Sequence, residues 1–208
     1  MNKRVGVFCS VSVLSLIVLA SCSTTSLTHV WKDKEYQGQI SNVFVMGVSK
    51  QPVRKRLFED EFVRQLQAQG LRATSSYRVF SSDGMLEKDM VLSKIRDMEI
   101  DTFLITRMVD RKIVETYMPG QVYHYAPPIT HGRWHGYYAA SYGAVYEPGY
   151  TIKDEIVVLE TNLYDAKSEE LIWSAISETV IEGAVNQVVK DFVKQIVNSL
   201  SKKGLINK

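Results

Sequence analysis

Hydrophobic and polar positions along the chain fall into alternating blocks of two periods. The run 42–48 is continuously apolar and bounded by polar residues, which predicts a buried strand. Pro52 then stands where a helix begins; Leu57, Phe58, Phe62, Val63 and Leu66 follow at helical spacing, and Gly70 sits at a C-terminal cap. A second strand is expected over 73–80. Ser81, Ser82, Asp83 and Gly84 supply a turn and an N-cap, and a second helix runs to about Met98 with Leu86, Met90, Val91, Ile95 and Met98 inward. Residues 102–109 read as another buried strand whose alternation continues towards Glu115. Segments 152–164 and 171–179 are rich in β-branched residues and joined by a polar turn at 165–170, so they form a hairpin. The clearest helix comes last: Val185, Val188, Val189, Phe192, Ile196, Val197 and Leu200 share one face, Gly204 follows it, and Leu205 is placed for a Schellman contact.

The order β-α-β-α-β, an interruption, then β-β-α predicts an α/β (α+β) fold with a single mixed sheet of about five strands and helices packed on it. Two crossovers give parallel pairing and the final hairpin adds antiparallel strands. In the first helix the charges Arg54, Lys55, Arg56, Glu59, Asp60, Glu61 and Arg64 read as a solvated face, with Arg56–Asp60 and Asp60–Arg64 as weak pairs four apart.

The N-terminus follows a different pattern. Lys3 and Arg4 precede an uncharged apolar run over 5–20, short for a membrane span of roughly 20 residues. The run ends in Leu19-Ala20-Ser21-Cys22, which resembles the lipobox of bacterial lipoproteins: an aliphatic residue, two small ones, then cysteine. That resemblance implies a signal peptide over 1–21, cleavage between Ser21 and Cys22, and palmitate-type acylation of Cys22. The Ser/Thr-rich stretch 22–29 is expected to be a lipidated tether, and 30–206 a single periplasmic domain. With Ser23, and no Asp, after the cysteine, the expected address is the outer membrane.

Charge and cysteine counts fit an exported protein. The chain has 25 Lys+Arg and 23 Asp+Glu, and loss of Lys3 and Arg4 with the signal leaves the two signs equal. A neutral domain has no long-range field for nucleic acid, so attachment to a membrane is expected to come from acyl chains. Of the two cysteines, Cys9 departs with the signal and Cys22 would be acylated, so the domain must be stable without disulfides.

One segment, 117–150, differs from the rest. It holds eight of the eleven tyrosines, four of the five prolines and three of the four histidines. Tyrosine and tryptophan supply rigid amphipathic contact area, so Tyr123, Tyr125, Trp134, Tyr137, Tyr138, Tyr142 and Tyr146 are candidate partner-binding residues. The competing readings are a hairpin folded back on its own domain, a protein or glycan contact surface, a hairpin entering the bilayer, and a metal site at His124, His131 and His135. Gly132 and Gly136 argue against the helix that would aim His131 and His135 at one ion, so no metal is expected.

The overall layout resembles small α/β domains of envelope assembly proteins: the N-terminal domain of TolB, LpoB and the periplasmic part of CsgG. The stretch Asn162-Leu163-Tyr164-Asp165-Ala166-Lys167, closing in Leu171-Ile172-Trp173-Ser174-Ala175, looks like a hairpin common among lipoproteins of that group, with Ser168-Glu169 where a Thr-Gly turn is usual. The resemblance implies protein binding and carries over no catalytic residue. There is no nucleophile elbow, P-loop or dinucleotide fingerprint. Asp110, Glu115, Asp154, Glu155 and Glu160 are the acids that could pair as in a glycan hydrolase. The expectation is a lipid-anchored, non-enzymatic module without cofactor, binding an envelope protein or its own copies. The alternative is a cell-wall glycan-binding or hydrolytic lipoprotein.

Overall fold

A computed structural model describes residues 24–80, 87–122, 134–136, 138 and 146–206, at 122, 146 and 147 for the backbone alone. One mixed sheet of six strands forms the body. Its strands are β1 (Thr25–Lys32), β2 (Asn42–Val48), β3 (Arg72–Ser75), β4 (Thr102–Met118), β7 (Tyr150–Asp165) and β8 (Leu171–Val180). Their spatial order is β1-β8-β7-β4-β2-β3, and a separate two-stranded piece pairs β5 (Gln121–Val122) with β6 (Tyr146–Glu147). β2 pairs in parallel with β3 and β4, and every pairing from β4 outwards to β1 is antiparallel. The expected mixed sheet is present, with six strands in place of about five.

The side chains of β2 show how the sheet is sandwiched. Val43 and Val45 point into one cluster with Phe62 and Leu66 of α1 (Pro52–Ala68) and Phe192, Ile196 and Leu200 of α4 (Val185–Lys202). Phe44, between them, points to the other face and packs with Phe80, Val91 and Ile95 beneath α3 (Lys88–Ile95). A buried leucine or phenylalanine is worth about 1.5–3 kcal/mol, so this two-sided burial is what makes the run 42–48 continuously apolar. Trp173 on β8 is fully buried in the larger cluster. Both long helices end in the Schellman arrangement. Gly70 and Gly204 adopt φ of 84° and 69°, and Leu71 and Leu205 donate their N–H to Leu66 and Leu200 at 3.2 and 3.0 Å.

Three expectations need correction. The tether does not extend to residue 29, because β1 begins at Thr25. Its threonines suit a strand: Thr25 is buried with its hydroxyl 3.0 Å from that of Thr179, and Thr28 donates to the Ile176 carbonyl at 3.2 Å. The strand expected over 73–80 stops at Ser75, and α2 (Ser76–Val79) is one helical turn. The charges of α1 are not all solvated: Lys55 is buried and Glu59 is fully so.

Glu59 explains the second correction as well as the third. β2 continues past the end of β3, so the Gly47 N–H has no strand partner there. Glu59 Oε1 accepts it at 2.8 Å and also accepts the Ser76 hydroxyl at 2.7 Å, while Oε2 accepts the Tyr77 N–H at 3.1 Å. One carboxylate thus finishes the ladder of β2 and caps α2. Asp60, beside it, accepts from the Tyr77 hydroxyl at 2.6 Å and from Arg78 at 3.1 Å, in place of the expected Arg56 and Arg64. Arg64 pairs with Glu61 instead. At the opposite end of β2, Asp101 Oδ2 accepts the Ser41 and Asn42 N–H groups at 2.8 and 2.9 Å.

Leaving buried donors unmade costs about 1–3 kcal/mol each. Glu59→Ala is therefore expected to lower the unfolding free energy by roughly 3 kcal/mol or more in a urea titration, whereas Glu61→Ala, whose ion pair is half exposed, changes it by less than about 1 kcal/mol.

Candidate interaction site

The most distinctive feature is built by β4 and β7. β2 pairs with β4 only as far as Val48 opposite Arg107, and β8 pairs with β7 only from Ile156 opposite Val180. β4 and β7 nevertheless stay in register from Thr102 opposite Asp165 out to Met118 opposite Tyr150. They therefore leave the sheet as a two-stranded arm. Six residues of each strand lie beyond the last β8 pair, a reach of roughly 20 Å at about 3.4 Å per residue.

The alternation seen over 102–115 continues here with water on both sides, and every residue of β4 from Arg107 onwards is exposed. One face carries Val114, Thr116 and Met118 with Asp154, Ile152 and Tyr150 opposite. The other carries Ile113, Glu115 and Tyr117 with Glu155, Lys153 and Thr151 opposite. Ile113 is 67% and Tyr117 66% exposed, values foreign to core residues. Salt bridges lace the arm: Arg107–Glu160 and Lys153–Glu115 at 2.6 Å, Arg111–Glu155 at 2.8 Å and Lys112–Glu178 at 3.3 Å. Such exposed pairs contribute about 0–1 kcal/mol each and serve mainly to keep the strands in register.

Proline sets where the ladder ends. Pro119 and Pro148 flank the last pair on the two strands, and neither can donate a ladder hydrogen bond. Pairing resumes with Gln121 opposite Glu147 and Val122 opposite Tyr146. Gly149 is required at this break. A Cβ there would overlap the Tyr117 hydroxyl and lie 2.9 Å from the Met118 carbonyl oxygen.

The candidate residues map onto this arm as follows. Tyr146 lies on β6, just past the proline break. Trp134 and Tyr138 are exposed, and the Trp134 ring meets that of His135 edge-on at 5.6 Å. Tyr123, Tyr125, Tyr137, Tyr142, His124 and His131 lie outside the described residues, as do Ser21, Cys22 and the turn at 81–84. Among the described residues, Tyr117 and Tyr150 join Trp134 as exposed aromatic groups of this region; sequence reasoning placed both at the borders of the segment without making them candidates.

None of the five acids considered for hydrolysis stands directly opposite another. In the register of the arm, Asp110 stands opposite Val158, Glu115 opposite Lys153, Asp154 opposite Val114, Glu155 opposite Ile113 and Glu160 opposite Arg107. Glu115, Glu155 and Glu160 each engage a cation, and Asp110 accepts the Arg111 N–H at 2.7 Å. Among the described residues, no three His, Cys, Asp or Glu side chains are grouped to hold a metal ion. On the body, burial pushes the Tyr36 phenol up, with Asp165 and Asp101 adding to the effect, and the hydrogen bond to Asp60 does the same to Tyr77.

A pocket of about 300 Å³ lies between α3 and the sheet. Met46, Val91, Leu92, Phe103 and Ile105 give it apolar walls, and Lys88 and Glu169, joined at 2.6 Å, give it its charge. Among the described residues that line it, Tyr164 carries the one hydroxyl and there is no histidine or cysteine.

No protein-family model matches the chain, and no curated protein matches it in sequence. Several solved structures follow a similar path. PelC, solved as a dodecamer from Paraburkholderia phytofirmans, is 10% identical with a TM-score of 0.47, over 85% of this chain and 96% of that one. Lipoprotein GNA1162 from Neisseria meningitidis is 12% identical with a TM-score of 0.41, over 78% and 99%. A minor lipoprotein from Acinetobacter baumannii is 8% identical with a TM-score of 0.35, over 81% and 98%.

The proline break predicts local consequences for substitution. Gly149→Val is expected to leave the melting temperature within about one degree, because the arm lies outside the cooperative core, while amide exchange of Tyr117 and Met118 accelerates at least tenfold in hydrogen-exchange mass spectrometry.

Proposed function

We propose that this chain is a bacterial lipoprotein, anchored by acylated Cys22 in the outer membrane and facing the periplasm, which works without catalysis by presenting its β-arm and the 117–150 segment to an envelope protein or to another copy. The export signal and lipobox motivate the anchor. The observation that carries the reading further is the position of the first residue of β1. β1 begins at Thr25, only three residues after Cys22, so a lipid on that cysteine can lie no further than about 11 Å from the sheet. Thr25 pairs with Thr179, and Val180 next to it pairs with Ile156, at the line where the arm leaves the body. The anchor point and the root of the arm thus share one end of the sheet. A short tether at that end holds the arm beside the membrane surface, where envelope partners are encountered. The cations that engage Glu115, Glu155 and Glu160 support a binding role over a hydrolytic one. Among the described residues no helix is long and apolar enough to cross a membrane. In this reading attachment rests on acyl chains, at about 0.8 kcal/mol per buried methylene.

Cells grown with radioactive palmitate are expected to label the wild-type chain and not Cys22→Ser, and the variant is expected to move from the membrane to the soluble envelope fraction. An unlabelled wild-type chain, or unchanged fractionation of the variant, contradicts the anchor.

A further inference from the structure

Among the described residues the outer edge of β4 has no strand partner from Met108 onwards, since β2 stops at Arg107. Two features bound its regular part: a bulge between Met108 and Asp110 at one end, and Pro119 just past the other. Exposed edges of this length invite pairing, and natural sheets blunt them with charged side chains, proline or bulges. Here the charges are of both signs, in the order Asp110, Arg111, Lys112, Glu115 along the edge.

We infer that this edge pairs with the same edge of a second copy, antiparallel and centred on Ile113. The geometry is self-complementary about that residue. Ile113 faces the second copy's Ile113, Arg111 faces Glu115, Lys112 faces Val114 and Asp110 faces Thr116, so every directly opposite charge pair is attractive. Slipping one residue towards the body sets Asp110 against Glu115, and slipping two sets Lys112 against Lys112. Slipping one residue the other way keeps an attractive pair, Lys112 with Glu115, but inverts one arm relative to the other. The centred register keeps the faces aligned, so Val114 and Ile152 of both copies join in one apolar band across four strands. An isolated two-stranded ribbon is marginal in water, and two further strands convert it into a sheet of a size that persists. Pro119 ends the new ladder before it reaches the second copy's β2.

The pairing goes beyond the anchored reading and does not require it. The two-fold axis stands perpendicular to the ribbon, as an isologous contact between aligned faces demands. Anchored copies therefore enter one leaflet together when the ribbon lies parallel to the membrane, and confinement there raises their effective concentration.

The test uses the full-length chain carrying Cys9→Ser and Cys22→Ser, which leave no native thiol, purified in mild detergent and treated with copper phenanthroline, so that it is independent of acylation and of the cellular compartment. Directly opposite residues in an antiparallel pair bring their Cβ atoms to about 4.5–5.5 Å, close to disulfide reach. Ile113→Cys is expected to give disulfide-linked homodimers on a non-reducing gel, at least tenfold more than Val53→Cys on the exposed side of α1. Tyr117→Cys, which faces Val109 in this register, is expected to stay at the Val53→Cys level. Adding Arg111→Glu to Ile113→Cys is expected to abolish the dimer, and adding Glu115→Arg to that pair to restore it. Equal crosslinking at positions 113 and 117, no more dimer at 113 than at 53, or a failure of the double charge exchange to restore crosslinking overturns the inference. These outcomes leave the palmitate result, and with it the anchor, untouched.

Discussion

The ladder between β4 and β7 is the interaction on which the rest of this molecule depends. It is the longest pairing in the sheet, running from Thr102 opposite Asp165 to Met118 opposite Tyr150, and it does two different jobs along its length. In its first third it is core: Leu104 and Leu163 are fully buried, and the hydroxyls of Thr106 and Thr161 meet across the strands at 3.0 Å. There it welds the parallel half of the sheet, β3-β2-β4, to the antiparallel half, β7-β8-β1. Further out the same backbone pattern continues with no third strand or covering helix among the described residues, and hydrogen bonding with cross-strand ion pairs replaces burial. The arm is thus an extension of the central seam of the fold. Its direction is set by the buried inner ends of β4 and β7, which join it to the body.

How much of this is legible in the sequence depends on whether a residue's role is settled by its own periodicity or by a distant partner. β2, both long helices and the final hairpin follow from local pattern, because their apolar residues are buried by the period of their own element. The Schellman ends at Gly70 and Gly204 and the turn at Asp165, whose carboxylate accepts the N–H groups of Lys167 and Ser168, are equally local. β1 is not. Its Ser/Thr composition resembles a tether, and only the edge of β8 makes it a strand. Glu59 fails the local test most clearly. Its place in a run of charges on α1 gives no hint that it lies inward, because the donors it serves come from Gly47, Ser76 and Tyr77 on other elements.

The arm was half legible. Alternation in 102–115 is the mark of a strand with unlike faces, and Pro119 and Pro148 mark where its ladder stops. What the pattern does not reveal is that both faces are wet. Val114, Ile113 and Ile152 read as core-facing residues by composition and are exposed in the structure. In the proposed reading these residues, held in water on a projecting ribbon beside cross-strand salt bridges, form a contact surface whose apolar groups are in register in advance of any partner. That preorganisation lowers the ordering cost of association.

Whether 113–118 and 150–155 are one continuous ribbon decides the account, and cysteine pairing within the chain measures it directly. Thr116→Cys with Ile152→Cys, directly opposite in the register, is expected to form an intramolecular disulfide on mild oxidation, seen as a linked peptide by mass spectrometry after proteolysis. Thr116→Cys with Thr151→Cys, which point to opposite faces, is expected to remain reduced. Equal linkage in the two double variants, or linkage in neither, would contradict a projecting β-arm.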